Sequence, residues 1–174
     1  MTHLNIEIKA RCGNQDKIRN ILKKLNADFK GTDHQIDTYF KVPVGRLKLR
    51  EGTIENHLIY YQRENQDGPK TSQVALFQNH PRSSLKSILQ NALGILVSVD
   101  KIREIYLIDN VKFHLDSVTG LGRFIEIEAI DFDASIGRAA LHKQCEKYMS
   151  LLGISSDDLI SHSYSDLLLV RERF

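Results

Sequence analysis

The chain has 174 residues, 41% of them hydrophobic and 26% charged, with a formal net charge of +2. That length favours a single domain, residues 1–174, large enough to bury a real apolar core. A charge so close to zero removes the global basic field of a nucleic-acid binder, so any electrostatic function has to come from local placement.

Near the start, Asn5-Ile6-Glu7-Ile8-Lys9-Ala10-Arg11 alternates polar and apolar with a period of two. A strand with this pattern buries Ile6, Ile8 and Ala10 on one side and presents Asn5, Glu7, Lys9 and Arg11 on the other. Ile18, Ile21, Leu22 and Leu25 then recur at helical spacing, predicting a helix between Asn14 and Ala27 capped by Asn14 or Asp16. Short alternating stretches follow at Asp37 to Lys41, Arg46 to Glu51 and His57 to Glu64, with hairpin connections at Val44-Gly45 and from Gly52 to Asn56. Asn65 to Lys70, which contains Asp67-Gly68-Pro69, reads as a turn or mobile loop, and Gln73 to Gln78 as another strand. Ser83 to Leu93 is a second helix, with Leu85, Ile88, Leu89 and Ala92 on one side and Gly94 as its stop.

In the second half, strands at Val97 to Leu107 and Val111 to Val118 join through an Asp109-Asn110 turn. Gly120-Leu121-Gly122 leads into a strand at Arg123 to Ala129. A long amphipathic helix from Ser135 to Leu152 is closed by Gly153, a short one lies near Ser156 to Leu159, and Tyr164 to Val170 is helical or extended. The sum is an α+β domain dominated by antiparallel pairing, with no dividing linker.

Charged side chains recur on one face of strand after strand. Arg46, Lys48 and Arg50 share a face, as do Lys101 and Arg103, then Lys112, His114 and Asp116, then Glu126 and Glu128. Ile59, Tyr61 and Arg63 likewise share one face. One such strand is an ordinary wet sheet face. Six of them also fit a sheet closed on itself, with the polar face lining the interior. Lys9, Lys48, Arg50, Arg63 and Arg103 inside a barrel would repel one another unless an anion lay among them. Glu7, Asp116, Glu126 and Glu128 in the same space partly neutralise them and offer hard oxygen ligands. Cations with carboxylates suit a polyphosphate bound with a divalent metal, Mg²⁺ or Mn²⁺.

Here the residues resemble a family. Asn5-Ile6-Glu7-Ile8-Lys9 is similar to the Glu-x-Glu-x-Lys signature of the CYTH superfamily, the triphosphate tunnel metalloenzymes. Gly45-Arg46-Leu47-Lys48-Leu49-Arg50, Tyr60-Tyr61-Gln62-Arg63, Lys101-Ile102-Arg103, and His114-Leu115-Asp116 through Gly120-Leu121-Gly122 to Ile125-Glu126-Ile127-Glu128 follow in the family's order. The blocks look most like bacterial members labelled class IV adenylyl cyclase. The superfamily also includes thiamine triphosphatases, inorganic triphosphatases and fungal RNA triphosphatases.

The resemblance implies an eight-stranded antiparallel β-barrel tunnel with helices packed outside. It implies an enzyme that binds a triphosphate-containing small molecule through Lys9, Lys48, Arg50, Arg63, Lys101 and Arg103. Lys9, Arg50, Arg63, Arg103 and Asp116 would take part in catalysis, and Glu7, Asp116, Glu126 and Glu128 would hold Mg²⁺ or Mn²⁺. ATP would become cyclic AMP and pyrophosphate; the alternatives are a triphosphatase releasing orthophosphate and a non-catalytic polyphosphate-binding module. A homodimer is implied by the resemblance, and no nucleic-acid partner is expected. Asp37 and Tyr39 match an Asp-x-Tyr that supports the site. Asn5 departs from the pattern, since an amide oxygen ligates a hard cation but supplies no negative charge.

Other residues have plainer readings. Arg11, Arg46 and Lys112 fall nearer the tunnel ends, where a solvated role competes with a functional one. His114 is a substrate-side contact or, more simply, a hydrogen-bonded histidine. Lys70 closes over substrate or is a solvated loop lysine, and Tyr164 with Asp166 would cover one tunnel mouth. Cys12 and Cys145 sit in no metal-ligand spacing and read as structural, Cys145 on the inner face of the long helix. With no apolar leader before the first strand and no run approaching about 18 apolar residues, a reduced cytoplasmic protein without membrane association is expected.

Overall fold

The structure is a computed structural model that describes residues 2–63, 65–66 and 68–171. The expected strand end at Glu64 and the Asp67 turn position lie outside the described residues.

Eight strands close into an antiparallel barrel: β1 (Thr2–Arg11), β2 (Asp28–Phe40), β3 (Arg46–Gly52), β4 (His57–Gln62), β5 (Lys70–Gln78), β6 (Ile95–Ile108), β7 (Val111–Val118) and β8 (Gly122–Asp131). Around the barrel they run β1-β5-β4-β3-β2-β6-β7-β8. Among the described residues four α-helices accompany them, α1 (Gln15–Lys24), α2 (Leu85–Leu93), α3 (Arg138–Leu151) and α4 (Tyr164–Arg171), with a single 3-10 turn at Ser156–Asp158. No helix among the described residues is long and apolar enough to cross a membrane.

The main apolar core lies outside the barrel, not within it. Ile6, Ile8, Phe113, Leu115, Ile125 and Ile127 turn outward from β1, β7 and β8 and pack against Ile18 and Leu22 of α1 and Leu141, Cys145 and Tyr148 of α3. Burying this alternating set is what turns the charged set inward, because a one-residue slip in register would exchange the two faces. Asn14 caps α1 by accepting from the Lys17 backbone N–H at 3.0 Å. The Cys145 thiol donates to the Ile6 carbonyl at 3.2 Å. A second apolar cluster, with Tyr39, Tyr61, Val97, Phe124 and Tyr164, fills one end of the barrel beneath α4.

Several sequence expectations change. β2 begins at Asp28 rather than Asp37 and pairs with β6 along almost its whole length. Its first two-thirds show no hydrophobic period, because the side chains turned inward there, Asp33 and Gln35, are themselves polar. Gly31, at φ +127°, sits at the register shift between Phe29 and Gly31. The apolar side of α2 buries no residue, so that helix is only loosely attached. Lys70 is not a solvated loop lysine: it begins β5, is buried, and its Nζ donates to the Ile160 carbonyl at 2.5 Å.

Candidate functional site

The tunnel begins with the wall made by β3, β2 and β6. Register places Asp37 opposite Arg50 and Tyr39 opposite Lys48, and Gln35 opposite Lys101. The inward side chains converge on the Asp37 carboxylate. Lys48 Nζ donates to it at 2.9 Å and Lys101 Nζ at 2.7 Å. Arg50 adds a two-pronged contact, Nε at 2.9 Å and Nη2 at 3.0 Å. Like charges 4 Å apart repel by about 4 kcal/mol at an effective dielectric of 20, so three cations this close need the carboxylate among them. Burial alone would push the Asp37 carboxyl up, but Arg50, Lys101 and Lys48 hold it well below the usual range. Lys101, 1% exposed, is pushed down to about 7 by burial, with Asp37 pulling the other way.

Sequence reading passed over Glu55, a further part of this wall. The backbone N–H groups of Thr53, Ile54 and Glu55 all donate to the Asp33 carboxylate, at 2.6, 2.9 and 2.9 Å. That anchor folds the β3–β4 connection inward. Gly52 is required for it, because a Cβ there would lie 2.7 Å from both Asp33 Oδ2 and the Glu55 carbonyl. Glu55 then accepts from Arg50 Nη1 at 2.8 Å and from Lys112 Nζ at 3.2 Å. It belongs to a connection with no period of its own, so no sequence signal marked it.

On β6, β7 and β8 the charges are balanced. Arg103, opposite Asp116 in the β6–β7 register, donates to it through Nε at 2.7 Å and Nη2 at 2.5 Å, and to Glu126 through Nη2 at 2.7 Å. Lys9 pairs with the other Glu126 oxygen at 2.6 Å. His114 Nδ1 lies 3.4 Å from Glu126, and burial lowers the imidazole pKa. Burial raises the Glu126 carboxyl, yet Lys9 and Arg103 bring it well below its ordinary value. Tyr164 OH donates to Asp116 Oδ2 at 2.7 Å, and Lys9 Nζ stands 3.7 Å above the Tyr164 ring. Asp116 is fully buried behind Arg103 and does not itself line the tunnel. Both its oxygens are engaged by Arg103 and Tyr164, an arrangement that fixes the guanidinium.

Glu7 and Glu128 face each other directly across the β1–β8 ladder. Like charges so placed are destabilising without a compensating group. Arg63 pairs with Glu7, and the Asn5 amide donates to Glu128. The Asn5 side-chain oxygen is buried and has no hydrogen-bond partner. Two opposed carboxylates, Glu126 two residues along β8 and an unused amide oxygen are hard-oxygen donors of the kind that could hold Mg²⁺ or Mn²⁺. Among the described residues no three His, Cys, Asp or Glu side chains already stand in a metal-binding cluster. In this arrangement the carboxylates are held by Arg63, Lys9, Arg103 and Asn5.

The expected phosphate-binding residues Lys9, Lys48, Arg50, Arg63, Lys101 and Arg103 therefore all line one cavity of about 140 Å³, together with Glu7, Glu126 and Glu128. Lys112 lines it too, near Glu55, whereas Arg11 is exposed outside. At one end α4 closes over the barrel, with Asp166 accepting from Arg46 Nη2 at 2.9 Å. The expected covering role of Tyr164 and Asp166 matches this placement.

Comparison with known proteins gives a consistent picture. A CYTH domain model matches residues 3–164. A Methanocaldococcus jannaschii protein named "putative adenylate cyclase" is 28% identical, over 94% of this chain and 98% of its own length. Among solved structures, a Vibrio parahaemolyticus protein described as a "putative adenylate cyclase" superposes with a TM-score of 0.78 at 19% identity, covering 95% of this chain and 98% of that one. A Hippeastrum protein, described as a "putative adenylyl cyclase" that "reveals a dominant" triphosphatase activity, has a TM-score of 0.60 at 15% identity, covering 97% and 96%. The last two likenesses speak for the fold alone.

Proposed function

The chain is an enzyme of the CYTH domain family, and from that premise we propose that it converts a triphosphate bound inside the barrel, with ATP going to cyclic AMP and pyrophosphate. The observation that carries this reading is the set of cations gathered on Asp37, which leaves uncompensated positive charge in an enclosed space. A polyanion is the ligand that relieves it.

Lys48, Arg50 and Lys101 bind phosphoryl oxygens from one wall, and Lys9, Arg63 and Arg103 from the others. They hold the chain of phosphates in place and meet the negative charge that develops on the leaving group, where most of the rate gain lies. Asp116 and Tyr164 keep Arg103 aimed into the tunnel. Glu7, Glu128 and Glu126, with the Asn5 amide oxygen, would hold Mg²⁺ or Mn²⁺. Such an ion, when bound, supplies Lewis-acid polarisation of phosphoryl oxygens. Which phosphorus meets the nucleophile is a matter of substrate orientation: the ribose hydroxyl against the α-phosphorus gives the cyclic product, and water against the terminal one gives orthophosphate. The 28% identical relative named for adenylate cyclase supports the first. Two buried, unpaired cysteines suit a reducing cytoplasm.

The test is a product assay on purified protein with ATP, inorganic triphosphate and thiamine triphosphate, each with Mg²⁺ and with Mn²⁺. Cyclic AMP with pyrophosphate is the expected result. Orthophosphate alone would replace cyclisation by hydrolysis, and tight binding without turnover would reduce the protein to a polyphosphate-binding module.

A further inference from the structure

The two ends of the tunnel differ in chemistry. Lys9 and Glu126 stand against Tyr164 beneath α4. Six residues away along β1 and just past the end of β8, about 20 Å at strand spacing, the lining becomes aromatic and apolar. His3 and Phe132 face each other there with ring centroids 5.5 Å apart and planes tilted by 45°. Ile130 lines the same end, and His57, opposite Arg50 in the β3–β4 register, joins it. Phe132 is 54% exposed, so this end is open where the α4 end is closed.

A bare polyphosphate has no use for such a lining, since a hydrated anion gains nothing from apolar walls. An aromatic ring attached to the triphosphate does. His3 is buried, and its Nδ1 has no hydrogen-bond partner. An unpaired buried polar atom is costly, and a ligand that pairs with it recovers the loss. In its neutral form an imidazole offers one donor and one acceptor. That pairing suits the edge of an uncharged heterocycle.

We propose that the His3–His57–Phe132 end is the subsite for a neutral heteroaromatic ring, a nucleobase, so that the nucleotide lies with its base at the open mouth and its terminal phosphoryl toward Tyr164. This rests on the triphosphate reading above and adds which residues receive the base and which way round the nucleotide binds. The order of groups fits: Arg50 adjoins His57, so the phosphates nearest the ribose meet the Asp37 cations, and the last phosphate reaches Lys9 and Arg63.

Calorimetry in Ca²⁺ buffer with α,β-methylene-ATP and with inorganic triphosphate tests this on wild type, Phe132→Ala and His3→Ala. The wild type should prefer the nucleotide by about tenfold, the scale of one base–aromatic stack. Phe132→Ala, at an exposed position that tolerates truncation, should bring that preference close to parity, and His3→Ala should reduce it. Equal affinities in the wild type, or a preference untouched by both substitutions, would overturn the subsite while leaving the triphosphate reading standing. Binding of neither ligand would sink both.

Discussion

Around Asp37 three cations share a single carboxylate, whereas around Arg103 two cations, Arg103 and Lys9, are matched by two carboxylates, Asp116 and Glu126. The first centre carries unspent positive charge even with Glu55 leaning on Arg50. The second is neutral and closely hydrogen-bonded, with Tyr164 locked onto it. On the function proposed above, the surplus charge is where a polyanion would be received. Balanced charge marks where side chains are held still for it. A buried pair in good geometry contributes little net stability but is costly to break, so each centre should respond differently when a member is removed.

The largest expected effect is at the balanced centre and the neighbouring carboxylates proposed to hold metal. Replacing Glu126 and Glu128 together with Gln should lower metal-dependent turnover by roughly a thousandfold, with the protein still melting in one cooperative transition. Turnover near the wild-type rate would remove both carboxylates from the site. Next comes Asp37→Asn, which strands the buried Arg50 and Lys101 and the partly buried Lys48 and should cost about 3 kcal/mol or more of stability. Here inorganic triphosphate should restore much of the lost melting temperature, because it replaces the missing negative charge. A melting temperature unchanged by the substitution would mean the hub carries no structural load.

Arg50→Ala should reduce kcat/KM by about a hundredfold, with KM raised and kcat lowered, since its charge acts on both bound substrate and transition state. A wild-type profile would take Arg50 out of the phosphate path. The smallest effect concerns protons. Lys101 at about 7 is largely neutral in the free protein at about pH 8. A polyanion favours its ammonium form, so binding should take up close to one proton at that pH and almost none below about pH 6. Calorimetry in buffers of different ionisation enthalpy measures this, and Lys101→Met should abolish it. In the unliganded protein the depressed pKa works the other way round. Between about 7 and 10.4 the unfolded chain binds the extra proton, so this lysine makes stability rise with pH across that window.

Much of this was legible before any coordinates. β7 spans Val111–Val118 as its alternation predicted, and of the cations named from period two Lys9, Lys48, Arg50, Arg63, Lys101, Arg103 and Lys112 line the cavity, whereas Arg11 is exposed outside it and Arg46 pairs with Asp166 of α4. Strands with one wet and one dry face announce themselves. The early part of β2 does not, because Asp33 and Gln35 occupy its inward positions and leave no contrast between faces. Glu55 was invisible for a related reason: it reaches the tunnel only because Asp33, from another strand, gathers the backbone N–H groups of its loop.

The sequence by itself determined which side chains share a face, because two-residue alternation follows from strand geometry alone. It therefore also determined that cations and carboxylates would sit together once the outward apolar set was buried. Only the tertiary structure decided which carboxylate serves which cation, that Asp116 stands behind Arg103, and that α4 closes one end while His3, His57 and Phe132 leave the other open. Those facts depend on the order in which eight strands close and the register between non-neighbouring ones. Alternation along a single strand carries no information about either.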